Sequence, residues 1–236
     1  MRHAPGEGQG GHEPQVLRYR ALGAVDAREA DGRVPELERG ARDLAQRLFT
    51  GDANVRIQLG VLALGDGNTR WMDLGKDADI YLPRVQWQDA TRLTWQIQDR
   101  KQHRLELHRF QRDSGKAERL RTETSESWVP LHNNLRFLKD GRILWSSEQS
   151  GFEHLYWLGA GGKLSAITRG EWMVEDVLAV DEAKGWIYFT GTKDSPIERH
   201  LYRVSFDGKT LTRLSSEPGM HSAQFNAAAS HYIGSY

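Results

Sequence analysis

Beyond residue 54 the chain alternates apolar and polar positions with a period of two, in short runs broken by turn residues. That alternation is the pattern of half-buried β-strands. It predicts strands at 55–64, 69–74, 79–87, 92–98, 104–111, 118–124, 134–138, 142–147, 152–158, 163–167, 174–180, 186–192, 200–206, 210–214 and 222–225, with a further strand-like run at 231–236. Gly65-Asp66-Gly67, Asp140-Gly141, Gly161-Gly162 and Asp207-Gly208 mark turns between them. The first fifth of the chain differs. Residues 1–33 are rich in Gly, Arg, Ala and Glu, and Tyr19 is their only aromatic residue. So little apolar area offsets poorly an ordering cost of about 1–2 kcal/mol per residue, so the segment is expected to be largely disordered, with at best a short strand at 16–22. At 35–49, Leu37, Ala41, Leu44, Ala45 and Leu48 share one helical face and Pro35 suits a first turn, which predicts a short amphipathic helix.

The strands repeat. Leu155-Tyr156 with Gly162-Lys163 recurs as Leu201-Tyr202 with Gly208-Lys209, and weaker copies are Glu106-Leu107 with Gly115-Lys116 and Gly60-Val61 with Gly67-Asn68. The turn glycines stand at 67, 115, 162 and 208, in steps of 48, 47 and 46. Arg92-Leu93-Thr94-Trp95, Arg142-Ile143-Leu144-Trp145 and Trp186-Ile187-Tyr188-Phe189 repeat ahead of them. About four strands per period of this length is the signature of a propeller blade. The fold expected is all-β: a partial β-propeller of about four blades of antiparallel four-stranded sheets, with a short N-terminal helix. Residues 1–50 form a separate N-terminal segment, and 51–236 carry the propeller. A compact four-bladed ring is one reading of the repeat and an arc of a larger ring the other. No polar cap is visible after Ala227, which favours the arc, and open blade edges then predict self-association.

Charge narrows the function. Lys and Arg number 32 and so do Asp and Glu, so no global field points to nucleic acid. Arginines do interleave with aromatics at Arg70-Trp71, Arg84 and Trp87, and Arg199 and Tyr202, but at zero net charge core packing is the expected use of those rings. There is no Cys, hence no disulfide framework, thiolate metal site or Cys nucleophile. No run of about 18 apolar residues would span a membrane, and 1–14 lack the apolar core of a secretory signal.

Several stretches stand out in chain order: Gly51-Asp52-Ala53-Asn54, Leu59-Gly60-Val61, Trp71-Met72-Asp73-Leu74-Gly75 and Tyr81-Leu82-Pro83-Arg84-Val85-Gln86-Trp87. Ser147-Glu148-Gln149-Ser150-Gly151-Phe152-Glu153-His154-Leu155-Tyr156, Thr168-Arg169-Gly170-Glu171-Trp172-Met173-Val174, Phe189-Thr190-Gly191-Thr192 and Ser195-Pro196-Ile197-Glu198-Arg199-His200-Leu201-Tyr202 follow. Together, and in this order, they resemble the N-terminal propeller of dipeptidyl peptidase IV-like serine peptidases of the prolyl oligopeptidase clan. The bacterial type is the nearer by eye. The resemblance implies an eight-bladed propeller over an α/β-hydrolase domain that supplies Ser, Asp and His, a pair that removes X-Pro or X-Ala dipeptides from peptide N-termini. The peptide partner would thus be met through a hydrolase domain that these residues do not include. It also implies a periplasmic or secreted full-length protein, although this chain shows no signal.

Candidate chemistry is sparse. A hydrolase of this type needs Gly-x-Ser-x-Gly, and the sequence has none. Ser146, Ser147 and Ser150 beside Glu148 and His154 invite a triad reading, but in a strand and turn they are expected to serve backbone hydrogen bonds. The family holds the substrate ammonium with two adjacent Glu, whereas here Glu36 and Glu38 flank Leu37 and suit a helix start. Trp128 to Asn134 aligns with a segment that faces the family's interdomain cavity, with His132 as a candidate lining residue or simply an exposed loop histidine. His103 and His108 are an odd number apart on one strand and point to opposite faces, so they make no metal pair. The Gly-rich turns lack the helix start and the Lys-Ser/Thr of a phosphate loop. No catalytic, substrate-binding or metal residue and no cofactor is therefore assigned. The function expected is that of a non-catalytic propeller that gates and positions the peptide of a serine exopeptidase, inert alone. The alternative is a stand-alone small propeller that binds a protein or peptide.

Overall fold

The computed structural model describes residues 16–22, 56–62 and 68–236. The helix expected at 35–49 and the turn glycine at 67 lie outside the described residues, among which no α-helix occurs. The chain divides into two compact units, up to Val129 and from Pro130 to Tyr236.

In the first unit β1 (Val16–Leu22) pairs parallel to β2 (Arg56–Leu62), and β2 pairs antiparallel to β3 (Thr69–Trp71). A second sheet follows as an antiparallel meander of β4 (Ile80–Trp87), β5 (Arg92–Asp99), β6 (Arg104–Gln111) and β7 (Ala117–Thr124). Pro83 cannot donate to a ladder, and the β4–β5 register shifts between Tyr81 and Arg84, where it sits. Leu59, Val61, Ile80, Leu93, Trp95, Ile97 and Phe110 bury together as the core of this unit.

The second unit holds two more four-stranded meanders. One comprises β8 (Arg136–Phe137), β9 (Ile143–Ser147), β10 (His154–Leu158) and β11 (Leu164–Ala166), with a 3₁₀ turn at Ala160–Gly162 between the last two. The other comprises β12 (Val174–Asp181), β13 (Trp186–Gly191), β14 (His200–Ser205) and β15 (Leu211–Arg213). A fifth sheet pairs β16 (Ser222–Phe225) with β17 (Tyr232–Ser235).

The sequence repeat is visible in the registers. Trp95 lies opposite His108, Trp145 opposite Tyr156 and Phe189 opposite Tyr202, one aromatic pair at the same place in each four-stranded sheet. This is the meander of a propeller blade, and the protein is a partial all-β propeller. The packing explains why the units repeat. Leu144, Leu155, Ile167, Trp172, Val174, Val177, Ile187, Phe189, Tyr202 and Val204 form one buried cluster, contributed by the third and fourth sheets together. Each such side chain removed from water contributes roughly 1.5–3 kcal/mol, and neither sheet buries its face alone. At one edge of this seam Trp157 Nε1 donates to the Phe206 carbonyl (2.8 Å). The Arg142 guanidinium lies over both rings, 4.7 Å from Trp157 and 4.5 Å from Phe206, and Asp140 holds it at 2.7 Å.

Candidate functional site

Strand direction alternates in each meander, so the hairpins between second and third strands and the links between sheets fall at the same end of the Pro130–Tyr236 unit. Backbone bonds tie them there: Val174 N to Glu153 O (2.8 Å), Thr192 N to Met173 O (3.0 Å), His221 N to Arg199 O (2.8 Å) and Arg199 N to Gly219 O (3.1 Å). Most of the polar chemistry of this unit gathers at that end.

Asn134 is its linchpin, fully buried. Its Oδ1 accepts Val177 N (2.7 Å), while Nδ2 donates to Glu175 O (2.8 Å) and to Glu153 Oε1 (3.1 Å). One side chain thus joins the segment before β8 to the first strand of the next sheet. The Ser146 hydroxyl donates to the same Glu153 oxygen. Glu175 pairs with Arg199 in a fork, with Nη2 to Oε1 at 2.6 Å. Glu153 therefore lacks the cation. Burial raises its pKa, the Ser146 and Asn134 bonds oppose that, and the nearby charges of Glu148 and Asp176 push the same way as burial.

The pH dependence follows from that sign. A group whose folded pKa lies above its unfolded value near 4.5 contributes stability below the unfolded value and loses it as pH rises through the folded one. Glu153→Gln keeps an acceptor for Ser146 and Asn134 and removes the charge. Its melting temperature is expected to match the parent in acid and to exceed it increasingly toward neutral pH. Parallel thermal melts across that range check this, and a constant difference would show that the charge is not the cause.

The hairpin that invited a triad reading is framework. Ser146 bonds Glu153, Ser147 Oγ accepts Gln149 N (3.2 Å), and Ser150 Oγ shares a proton with Tyr156 Oη (3.0 Å). His154 turns elsewhere: Nδ1 meets Thr168 Oγ1 (3.0 Å), Nε2 meets the Gly170 carbonyl (2.9 Å), and the ring stands edge-on to Trp172. Burial lowers its pKa, partly offset by the Gly170 carbonyl. The next sheet repeats the device, where His200 bonds Ser215 Oγ (3.0 Å) and Glu198 Oε2 (2.8 Å). Ser, His and Glu are in line there, yet the ring is wholly buried, and Ser215 Oγ accepts Leu201 N (3.1 Å) just as Thr168 Oγ1 accepts Leu155 N (3.0 Å). The hydroxyl anchors a strand. This arrangement is absent from the sequence reading, although the repeat carries its signal, because His154 and Thr168 recur as His200 and Ser215.

Other candidates move. His132 is buried rather than exposed: Nδ1 accepts Asn134 N (3.2 Å), and the ring stands edge-on to Trp145 at 4.5 Å. His108 stacks on Trp95 at 5.3 Å and bonds Glu106 (2.9 Å), while His103 is exposed. Glu36 and Glu38 lie outside the described residues. Of the arginine–aromatic pairs, Arg199 bonds Glu175 instead of Tyr202, and Arg70 lies over Phe110. Trp95 and Trp145 are core residues, but Trp71 and Trp128 stay exposed. Among the described residues no group of three or more His, Cys, Asp or Glu side chains is placed to hold a metal ion.

Around the polar seam Phe152, Met173, Ile197 and Met220 project into solvent, with Ile197 86% exposed. Glu148, Glu171, Asp176 and Glu217 are exposed among them, against Arg169 and Lys193.

Comparison with known proteins agrees with the blade architecture. Residues 49–236 match the family model of the dipeptidyl peptidase IV (DPP IV) N-terminal region. A dipeptidyl peptidase 4 of Trichophyton rubrum is 33% identical over 173 residues, 72% of this chain and 21% of that protein. A probable dipeptidyl peptidase 4 of Aspergillus fumigatus is 44% identical over 94 residues, 38% of this chain and 12% of that protein. The crystal structure of Porphyromonas gingivalis dipeptidyl peptidase 4 superposes with a TM-score of 0.72 at 28% identity, over 79% of this chain and 27% of that one. The chain thus spans about an eighth to a quarter of the relatives it matches. These sequences are fungal and the structure bacterial, so the matches support the family without singling out its bacterial branch.

Proposed function

Because the chain belongs to the dipeptidyl peptidase IV N-terminal region family, we propose that it acts as the non-catalytic propeller of a serine exopeptidase that releases X-Pro or X-Ala dipeptides. It would gate access to the active site and position the peptide N-terminus. The observation that carries this reading is the match over 49–236, which takes in all three four-stranded blades. The polar end of the Pro130–Tyr236 unit supports it, since the serines and histidines there hold strands together while carboxylates and apolar side chains remain outward. The nucleophile and its base are then supplied by a hydrolase domain beyond these residues.

The purified chain is expected to leave a Gly-Pro chromogenic substrate unhydrolysed. Hydrolysis that a serine-directed inhibitor abolishes would overturn the non-catalytic reading. Joined to a hydrolase domain of the family, the same residues are expected to restore a preference for free peptide N-termini over acetylated ones. Equal turnover of the two would exclude a positioning role.

A further inference from the structure

We infer that Asp140 and Asp207 are latent isoaspartate sites at the seam between the third and fourth sheets, kept unmodified by Arg142 and Ser205. Each is an exposed aspartate followed by glycine in a hairpin turn, Asp140-Gly141 and Asp207-Gly208. Glycine leaves its nitrogen unshielded, because it carries no Cβ. Isomerisation needs that nitrogen and a protonated carboxyl. The glycine nitrogen bonds to the aspartyl Cγ, the amide proton and the carboxyl hydroxyl leave as water, and a five-membered succinimide forms. Water then adds back and opens the ring. Opening at the α-carbonyl routes the main chain through Cγ, one methylene longer, with no net change in composition.

Both turns withhold the reacting groups. Gly141 N donates to Leu138 O (3.0 Å) and Gly208 N to Ser205 O (2.8 Å), so each nitrogen's proton is engaged within its own turn. Asp140 Oδ1 accepts Arg142 N (3.0 Å), and its Oδ2 accepts Arg142 Nε (2.7 Å). Asp207 Oδ1 accepts Ser205 Oγ (2.6 Å) and Lys209 N (3.0 Å). Donors of this kind favour the ionised carboxyl, which has no hydroxyl to lose as water. Arg142 lowers the pKa of Asp140, and the Ser205 hydroxyl lowers that of Asp207. The clamps are themselves anchored. The Arg142 guanidinium lies over Trp157 and Phe206, and Ser205 Oγ also accepts Thr210 N (3.0 Å). The seam depends on the same turns, since Trp157 Nε1 donates to the carbonyl of Phe206, next to Asp207. A methylene added to that turn displaces the carbonyl from the indole.

Ageing the purified chain over a range of mildly acidic pH, both native and unfolded in urea, tests this. Peptide mapping with electron-transfer fragmentation distinguishes isoaspartate from aspartate at each position, and Asp31-Gly32 and Asp66-Gly67, outside the described residues, map to separate peptides. Both sites are expected to isomerise more slowly in the native chain than in urea. Arg142→Ala is expected to speed Asp140, and Ser205→Ala to speed Asp207, each by at least about fivefold, the scale of one lost hydrogen bond. Each leaves the other site unchanged. Asp140→Glu and Asp207→Glu, whose ring would have six members, are controls that remove the signal. Circular dichroism melts show whether each variant is folded. The unaltered chain supplies a second measure: with both carboxyl pKa values lowered, native isomerisation rises only at a lower pH than in urea. Native rates equal to those in urea, pH profiles that coincide, or a folded variant that leaves its own site unchanged or speeds both overturns the proposal.

Discussion

Asn134→Leu is expected to lower the stability of the Pro130–Tyr236 unit by about 3–5 kcal/mol. Leucine has the branched outline of asparagine but is larger, so no cavity is left and the loss comes from unpaired polar groups together with some overpacking. Val177 N loses the Asn134 Oδ1 acceptor, and the Glu175 carbonyl loses the Asn134 amide. Each buried group left without a partner costs about 1–3 kcal/mol. Glu153 loses a donor as well, at a carboxylate already short of positive charge. The check is a urea titration followed by tryptophan fluorescence, in which the midpoint falls while the slope is unchanged. Asn133→Leu, next door but exposed, is the control and is expected to stay within about 0.5 kcal/mol of the parent. Asn134→Asp separates the two functions of the side chain. It keeps the acceptor for Val177 N, loses the donor, and sets a second carboxylate beside Glu153, so its deficit should grow as pH rises.

That contrast shows what could be read from residues alone. Period-two patterning located the strands because each has one face buried, and the four-stranded order followed from the spacing of Gly115, Gly162 and Gly208, all left-handed in the fold (φ 70, 78 and 72). Patterning reports burial, however, and not the aim of a buried polar group. The donor to Asn134 Oδ1 is Val177 N, 43 residues further along and across a sheet boundary. The loop histidine His132 was hidden for a related reason: its segment has no period, and the ring is buried only because it folds onto Trp145. His200 and Ser215 were within reach, since their counterparts His154 and Thr168 lie in two of the stretches that resemble the family. What concealed them was that a hydroxyl and a histidine fifteen residues apart look unrelated until β14 and the link after β15 bring them together. The resemblance itself rested on the blade strands, which the fold places in the core, and so it spoke to architecture more than to chemistry.

Gly208→Ala is expected to cost about 3–4 kcal/mol, most of it outside the turn in which the residue sits. Two separate effects add. At φ +72 an L-residue pays the left-handed penalty, about 1–2 kcal/mol. The same turn presses against the neighbouring sheet: a Cβ on Gly208 would lie 2.5 Å from the carbonyl oxygen of Ile167. A backbone carbonyl cannot swing aside as a side-chain tip can, and Ile167 N is itself tied to Leu155 O (2.8 Å). The turn or the whole end of β11 must therefore shift, with an overpacking cost of about 1–3 kcal/mol. Gly141→Ala measures the first effect alone, because Gly141 has φ +88 and nothing within 4 Å of its would-be Cβ. It should cost only about 1–2 kcal/mol. If both variants melt together, the contact between blades at Ile167 carries no energy, and the hairpin glycines are conserved in the repeat for their turns only. If Gly208→Ala is the weaker by the expected margin, the repeat has a second purpose: its third-to-fourth-strand turns set how closely one sheet seats on the next.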